Sequence, residues 1–284
     1  MDSAYVRWRP APAVRPFAAW YTGYAQPPMP AGARHRGLPS PYLTLIITLD
    51  RPLRVTAHPD PAAPPGQYDT LIGGLHTTPA LIEQVGGSAG IQVALSPLGA
   101  RALLGLPAGE LAGADLHGTD VLGPFAAELH ERVGLAADWP ARFRVVDELL
   151  TRRAVPGLLP APEVAFAWRR LCASGGSAGP AELAGETGWS GRYLARRFAV
   201  EIGLSPKVAG RVARFDRARR LLQTSGGAHP LAGLAVACGY YDQAHLTREF
   251  AALAGLPPAR WWAEEFRNMQ SPVDLAGAES AHER

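Results

Sequence analysis

The second half of this 284-residue sequence repeats itself once, and the repeat constrains the fold more than any other feature. The first copy, LAGETGWSGRYLARRFAVEIGLSP, covers 183–206, and the second, LAVACGYYDQAHLTREFAALAGLPP, covers 234–258. Leu-Ala, a glycine followed by an aromatic, then Leu, Arg and Phe, then Gly-Leu-x-Pro recur in the same order. Gly188 and Gly239 are 51 residues apart, whereas Phe198 and Phe250 are 52 apart, so the second copy holds one extra residue in its turn.

Each copy predicts a helix-turn-helix. Leu183, Ala184 and Thr187 fall on one face of a short helix, and Gly188 permits the positive-φ turn that ends it. Ser190 in the first copy and Asp242 in the second are suited to cap the next helix. Leu194 with Phe198, and Leu246 with Phe250, are spaced i, i+4 and must face inward. The outward face then carries Arg192, Ala195 and Arg196 in one copy, and Ala244 and Arg248 in the other. Short helices with arginines on their free face are what a major groove accepts.

A basic helix joins the copies. Ser205-Pro206 supplies its cap and first residue, and it is expected to run to about Leu222. Val208, Val212, Phe215 and Leu222 are expected on its buried side, with Arg211, Arg214 and Arg217 pointing elsewhere. Pro258 opens a closing helix whose Trp261, Trp262 and Phe266 follow the helical period and read as core. The chain as a whole is only +3, yet 192–220 alone is +7 and the remainder −4. So local a charge excess points to a polyanionic partner for that block.

The first half has a different texture. Residues 42–49 (YLTLIITL) read as a strand, with shorter strands at 54–57, 70–73 and 90–95. Helical patterning appears at 99–104, 121–133 and 141–151, and Pro-rich 58–67 reads as an irregular loop. The fold class expected is therefore an α+β amino-terminal domain, a small sheet or partial barrel with helices, followed by an all-α domain with two helix-turn-helix motifs. Residues 1–153 form the first unit, 154–162 (AVPGLLPAP) a linker, 163–268 the second unit and 269–284 a flexible tail.

The second copy, with GYYDQAHLTREFAALAGLPPARW at 239–261, and RRFAVEIGLSPKVAGRVARFDRARRLL at 196–222 resemble the AraC/XylS family of bacterial transcription regulators. The resemblance covers roughly 161–268. It implies two second helices entering successive major grooves, with base-reading residues at Arg192, Ala195 and Arg196, then Gln243, Ala244, His245 and Arg248. Arginine suits guanine O6/N7 and glutamine suits adenine N6/N7. Lys207 and Arg211 are assigned to phosphates, which position without reading sequence. The family also implies a sensor or dimerisation role for the first half, with a small-molecule effector, a homodimer, and RNA polymerase as partner if the protein activates.

No arrangement for catalysis competes. His35, Arg36 and His76 lie in polar segments beside expected strands and are the candidate ligand contacts. The histidines lack HxH, HExxH or Cys–His spacing, so no metal and no cofactor is expected. Residues 86–90 (GGSAG) lack the ending of a phosphate loop and read as a hairpin turn. An alternative function is a DNA-repair alkyl acceptor, but this needs an activated thiol, and only Cys172 and Cys238 are available. A regulator whose first half only dimerises is the other alternative. No apolar run is long enough for a membrane span, and no secretory signal opens the chain, so a cytoplasmic, nucleoid-associated protein is expected.

Overall fold

The protein is described by a computed structural model covering residues 4–28, 34–83 and 87–266. Ten strands come first: β1 (Ala4–Trp8), β2 (Ala18–Gln26), β3 (Arg34–Gly37), β4 (Leu43–Thr48), β5 (Leu53–Ala57), β6 (Gly66–Tyr68), β7 (Thr70–Gly73), β8 (Ala80–Glu83), β9 (Ser88–Leu95) and β10 (Asp115–His117). They form two open antiparallel sheets, a larger one ordered β1-β2-β9-β4-β7-β10 and a smaller one ordered β3-β8-β5-β6. Helices α1 (Ala100–Leu104), α2 (Gly118–Leu122), α3 (Pro124–Leu135) and α4 (Trp139–Arg153) complete this half. The second half is helical: α5 (Pro162–Ala173), α6 (Pro180–Thr187), α7 (Gly191–Ile202), α8 (Pro206–Thr224), α9 (Leu231–Ala237), α10 (Gln243–Ala254) and α11 (Pro258–Phe266).

Strand alternation builds the layers. In β4, Leu43, Leu45 and Ile47 point into the main core under the helices, while Ile46 points to the smaller sheet. β7 divides likewise, Ile72 joining the main core and Leu71 packing with Val55, Tyr68 and Ala80. The α3–α4 hairpin closes the other face of the large sheet. Phe143 of α4 stacks on Trp8 at 5.3 Å, and the Tyr21 hydroxyl donates to Asp147 at 2.8 Å. Gly23 makes that contact feasible, since a Cβ there would lie 2.5 Å from the Trp139 ring.

Several expected elements shift. The helix expected at 121–133 is broken by Gly123 at φ 62°, giving α2 and α3. β6 begins at Gly66 inside the stretch read as loop. The glycine-rich segment at 86–90 is not a hairpin turn, because β8 and β9 belong to different sheets; Gly86 itself lies outside the described residues. Val208 is only half-buried, and Ala209 takes its place on the inner face of α8. The Phe266 side chain and the 269–284 tail also lie outside the described residues.

The main core does not stop at the end of α4. It continues through Trp168 and Leu171 of α5 and Leu183 of α6 to Leu194, Phe198 and Ile202 of α7. The first helix-turn-helix therefore shares its core with the β domain. A separate core holds the second unit, built from Phe215, Leu222, Leu234, Leu246, Phe250 and Trp261. Helix α8 serves both, giving Ala209 and Ala213 to the first and Val212, Phe215, Ala218 and Leu222 to the second.

This partition predicts two different responses to the same truncation. Phe198→Ala and Phe250→Ala each remove a fully buried ring and should cost about 3–5 kcal/mol. Hydrogen exchange should accelerate in α1, α6 and α7 for Phe198→Ala, but in α9 to α11 for Phe250→Ala. Equal spread of the effect in both variants would mean a single undivided core.

Candidate nucleic-acid interface

The two repeats fold as the same local device. In the first, α6 ends at Gly188 with φ 71°, and Ser190 Oγ accepts from the Tyr193 N–H at 3.3 Å. In the second, α9 is followed by Gly239 with φ 73°, and Asp242 Oδ1 accepts from the His245 N–H at 2.6 Å. Leu194, Phe198, Leu246 and Phe250 are all buried, so the rotation of α7 and α10 about their axes is fixed from inside. That fixes what faces outward.

On α7, Arg192 and Arg196 are exposed and Ala195 is half-buried between them. On α10, Gln243, Ala244 and Arg248 are exposed, and His245 is half-buried. The His245 ring stands edge-on to buried Tyr240 at 5.3 Å, and its Nδ1 accepts the Tyr241 N–H at 3.3 Å. Its Nε2 is then the protonated nitrogen, which makes the side chain a donor. Arg196 and Arg248 occupy matched positions of the repeat, and so do Arg192 and Ala244.

Most of the basic block is held within the molecule. Arg211 Nε donates to Glu249 at 2.6 Å, and Arg214 lies 4.0 Å from the same carboxylate and donates to the Gly176 carbonyl at 3.3 Å. Arg219 and Arg220 both pair with buried Asp216, at 2.7 and 3.0 Å. Arg197 turns back toward Glu201. Among the described residues, Arg192, Arg196, Lys207, Arg217 and Arg248 have no ion-pair partner, and Lys207 is exposed on the first turn of α8. The candidate phosphate contact Arg211 is thus already engaged, while Lys207 is open.

Two residues on this surface escaped the sequence reading. Tyr193 is exposed, stands edge-on to Trp189 at 4.7 Å, and lies under the Arg196 guanidinium at 5.7 Å, restraining its direction. Tyr241 is the extra residue of the second turn and is 92% exposed beside the start of α10. The one-residue difference between the repeats was the signal for Tyr241.

The three candidate ligand residues do not come together. His35 is ion-paired with Glu265, and Arg36 lies 3.1 Å from Glu264, both on α11. His76 Nδ1 contacts the Thr78 carbonyl at 2.6 Å. His35 and Arg36 therefore fasten β3 to the last helix of the second unit, where Leu38 also packs on the second core. Arg101 grips Glu201 of α7 through two bonds of 2.8 and 3.0 Å, with Glu201 only 4% exposed. Each repeat is clasped to the β domain by its own salt bridges.

Residues 183–264 match the protein family described as helix-turn-helix domain. The matched stretch runs from α6 to α11 and takes in both helix-turn-helix units. Among solved structures, it is similar to the C-terminal domain of AraT, a response regulator from Geobacillus stearothermophilus, at 23% identity and a TM-score of 0.34, covering 39% of this chain and 89% of that one. It is also similar to ToxT from Vibrio cholerae O395 at 10% identity and a TM-score of 0.47, covering 93% and 97%. ToxT bound to (E)-4-(8-methylnaphthalen-1-yl)but-3-enoic acid gives 10% identity and a TM-score of 0.49, covering 93% and 98%. No curated protein matches the sequence. Among the described residues, no helix is long and apolar enough to cross a membrane.

The clasp on α11 has a pH signature. Burial opposes charging His35, but the Glu265 carboxylate outweighs it and raises the imidazole above its ordinary value. Glu265 is lowered by His35 and Arg36 despite burial. The His35 contribution is therefore full below the ordinary histidine range and is lost as pH rises through the raised value; the Glu265 contribution is lost on acidification. The full chain should lose stability as pH rises above the ordinary histidine value of about 6.5, and His35→Gln should flatten that part of the denaturation profile. An unchanged slope in the variant would show that the clasp is not what titrates.

Proposed function

We propose that this protein is a sequence-specific DNA-binding transcription regulator whose two helix-turn-helix units read successive major grooves from one chain. The observation that carries the reading is the likeness of the two outward faces: each second helix is side-chain capped, each buries a Leu–Phe pair, and Arg196 and Arg248 are matched and without an ion pair, while Arg197, Arg211, Arg214, Arg219 and Arg220 are tied down. Arg192, Ala195 and Arg196 on α7, and Gln243, Ala244, His245 and Arg248 on α10, are the base-reading candidates. The arginines suit guanine, Gln243 suits adenine, and the alanines suit a thymine methyl. Lys207 is the better phosphate contact; Arg211 would reach a phosphate only through the N–H groups that Glu249 leaves free.

The division into a sensor or dimerisation domain at 1–153 and a DNA-binding domain at 163–268 belongs to the same proposal, as do a small-molecule effector, a homodimer, RNA polymerase contact in an activator, and a place at the nucleoid. The alkyl-acceptor alternative is disfavoured by the thiols. Burial raises Cys172 to about 12 and also raises Cys238, the reverse of an activated nucleophile.

Binding-site selection on purified full chain tests the reading. Arg196→Ala and Arg248→Ala should each relax one base position, in sub-sites about one helical turn apart, at a cost of about 1–3 kcal/mol on the selected site. Lys207→Ala should weaken all sequences alike and reduce the salt dependence. Identical selected motifs for all three variants and the parent would reject these faces as the readers.

A further inference from the structure

Glu249 breaks the likeness of the two reading units. It follows Arg248 on α10, and the matched position on α7 is Arg197. The first unit thus carries a cation beside its reading arginine where the second carries an anion, which repels phosphates. Lys207 and Arg211 are four apart on α8, so their side chains lie on one stripe of the helix. A phosphate strand that meets exposed Lys207 therefore passes beside Arg211. The Arg211 side chain is 35% exposed, but its Nε is bonded to Glu249 at 2.6 Å, and Glu249 is only 12% exposed. While that pair holds, Arg211 offers a phosphate only its remaining N–H groups.

Glu249 has other partners within reach. Its Oε2 is buried with no hydrogen bond among the described residues, 4.0 Å from Arg214 Nη2. Two donors nearby, Arg214 Nε and the Tyr240 hydroxyl, are likewise buried and unbonded. The Arg214 guanidinium lies over the Tyr240 ring at 5.8 Å. Burial and then the Glu249 charge raise the Tyr240 hydroxyl, which keeps it a donor. Buried polar atoms normally find partners. Three unbonded ones around a single carboxylate mark a second arrangement, in which Arg214 and Tyr240 hold Glu249 in place of Arg211. The penalty for leaving a buried carboxylate without its cation is then avoided.

We propose that Glu249 is an intramolecular competitor of the DNA backbone: Arg211 leaves it for a phosphate when the duplex docks, and the carboxylate turns to Arg214 and Tyr240. Carboxylate and phosphate both take a guanidinium in charge-assisted bonds, so the exchange is nearly balanced and its cost falls on affinity. Glu249 thereby sets how tightly the second unit grips without reading sequence. This inference rests on the function proposed above.

Fluorescence anisotropy of the full chain, with the selected duplex and a scrambled one at several salt concentrations, tests it. Glu249→Gln keeps the shape and removes the charge, and should tighten both duplexes about three- to tenfold. Arg211→Met, which keeps the apolar stem, should weaken both and lower the salt slope by about one. The double variant should bind like Arg211→Met alone, because the gain needs Arg211. Tyr240→Phe, which removes only the unbonded hydroxyl, should weaken both duplexes about twofold. The proposal is overturned if folded Glu249→Gln binds no tighter, or if its gain survives in the double variant and is thus a general charge effect. Should circular dichroism show Glu249→Gln unfolded, unchanged affinity in Tyr240→Phe overturns it instead. A parent that binds neither duplex at low salt refutes the proposed function itself, whereas a binding parent with failing variants refutes this inference alone.

Discussion

Everything in this molecule depends on helix α8 having two buried faces. Ala209 and Ala213 extend the core that begins in the large β sheet, while Phe215 and Leu222 begin the core of the second helix-turn-helix. A helix with one apolar stripe can attach to only one body; this one joins two and must neutralise the charge it buries in doing so. Asp216 between Arg219 and Arg220, and Glu249 receiving Arg211 and Arg214, are that neutralisation. They also explain why so basic a helix leaves few arginines free for a partner.

The consequence is asymmetric. The first unit is fused to the β domain through apolar packing and backbone approach: a Cβ on Gly109 would lie 2.3 Å from the Val200 carbonyl of α7. The second unit meets the same domain mainly through side chains at a periphery, with His35 and Arg36 on α11 and Leu38 on its core. Two partly buried ion pairs hold far less tightly than a continuous apolar core does. The second unit is therefore the one whose position can respond to what the β domain does.

The C-terminal half was legible because its signals were local. Glycines at turns, side-chain caps, and Leu and Phe four apart each act within a few residues, so the repeat could be placed almost to the residue. The β half hid most of its strands. β2 reads AAWYTGYAQ, with small residues where a strand usually shows branched ones, because Gly23 must admit the aromatics of α4. β3 is Arg-His-Arg-Gly, a polar segment whose meaning lies in carboxylates 230 residues away on α11. Sequence reading makes His35 and Arg36 candidate ligand contacts; the structure pairs them with Glu265 and Glu264. Long-range pairing of this kind leaves no trace in local pattern.

Because Arg101 holds α7 and His35 and Arg36 hold α11, the β domain, and not the joining helix alone, sets the relation between the two reading helices. Spin labels placed by Arg192→Cys and Ala244→Cys, with Cys172→Ser and Cys238→Ala removing the native thiols, would report the separation of α7 and α10 by pulsed electron–electron resonance. The account predicts one narrow distance in the full chain, broadening when Glu264→Gln and Glu265→Gln undo the α11 clasp. A distribution that stays equally narrow in the clasp variant would contradict it, and would make α8 sufficient by itself.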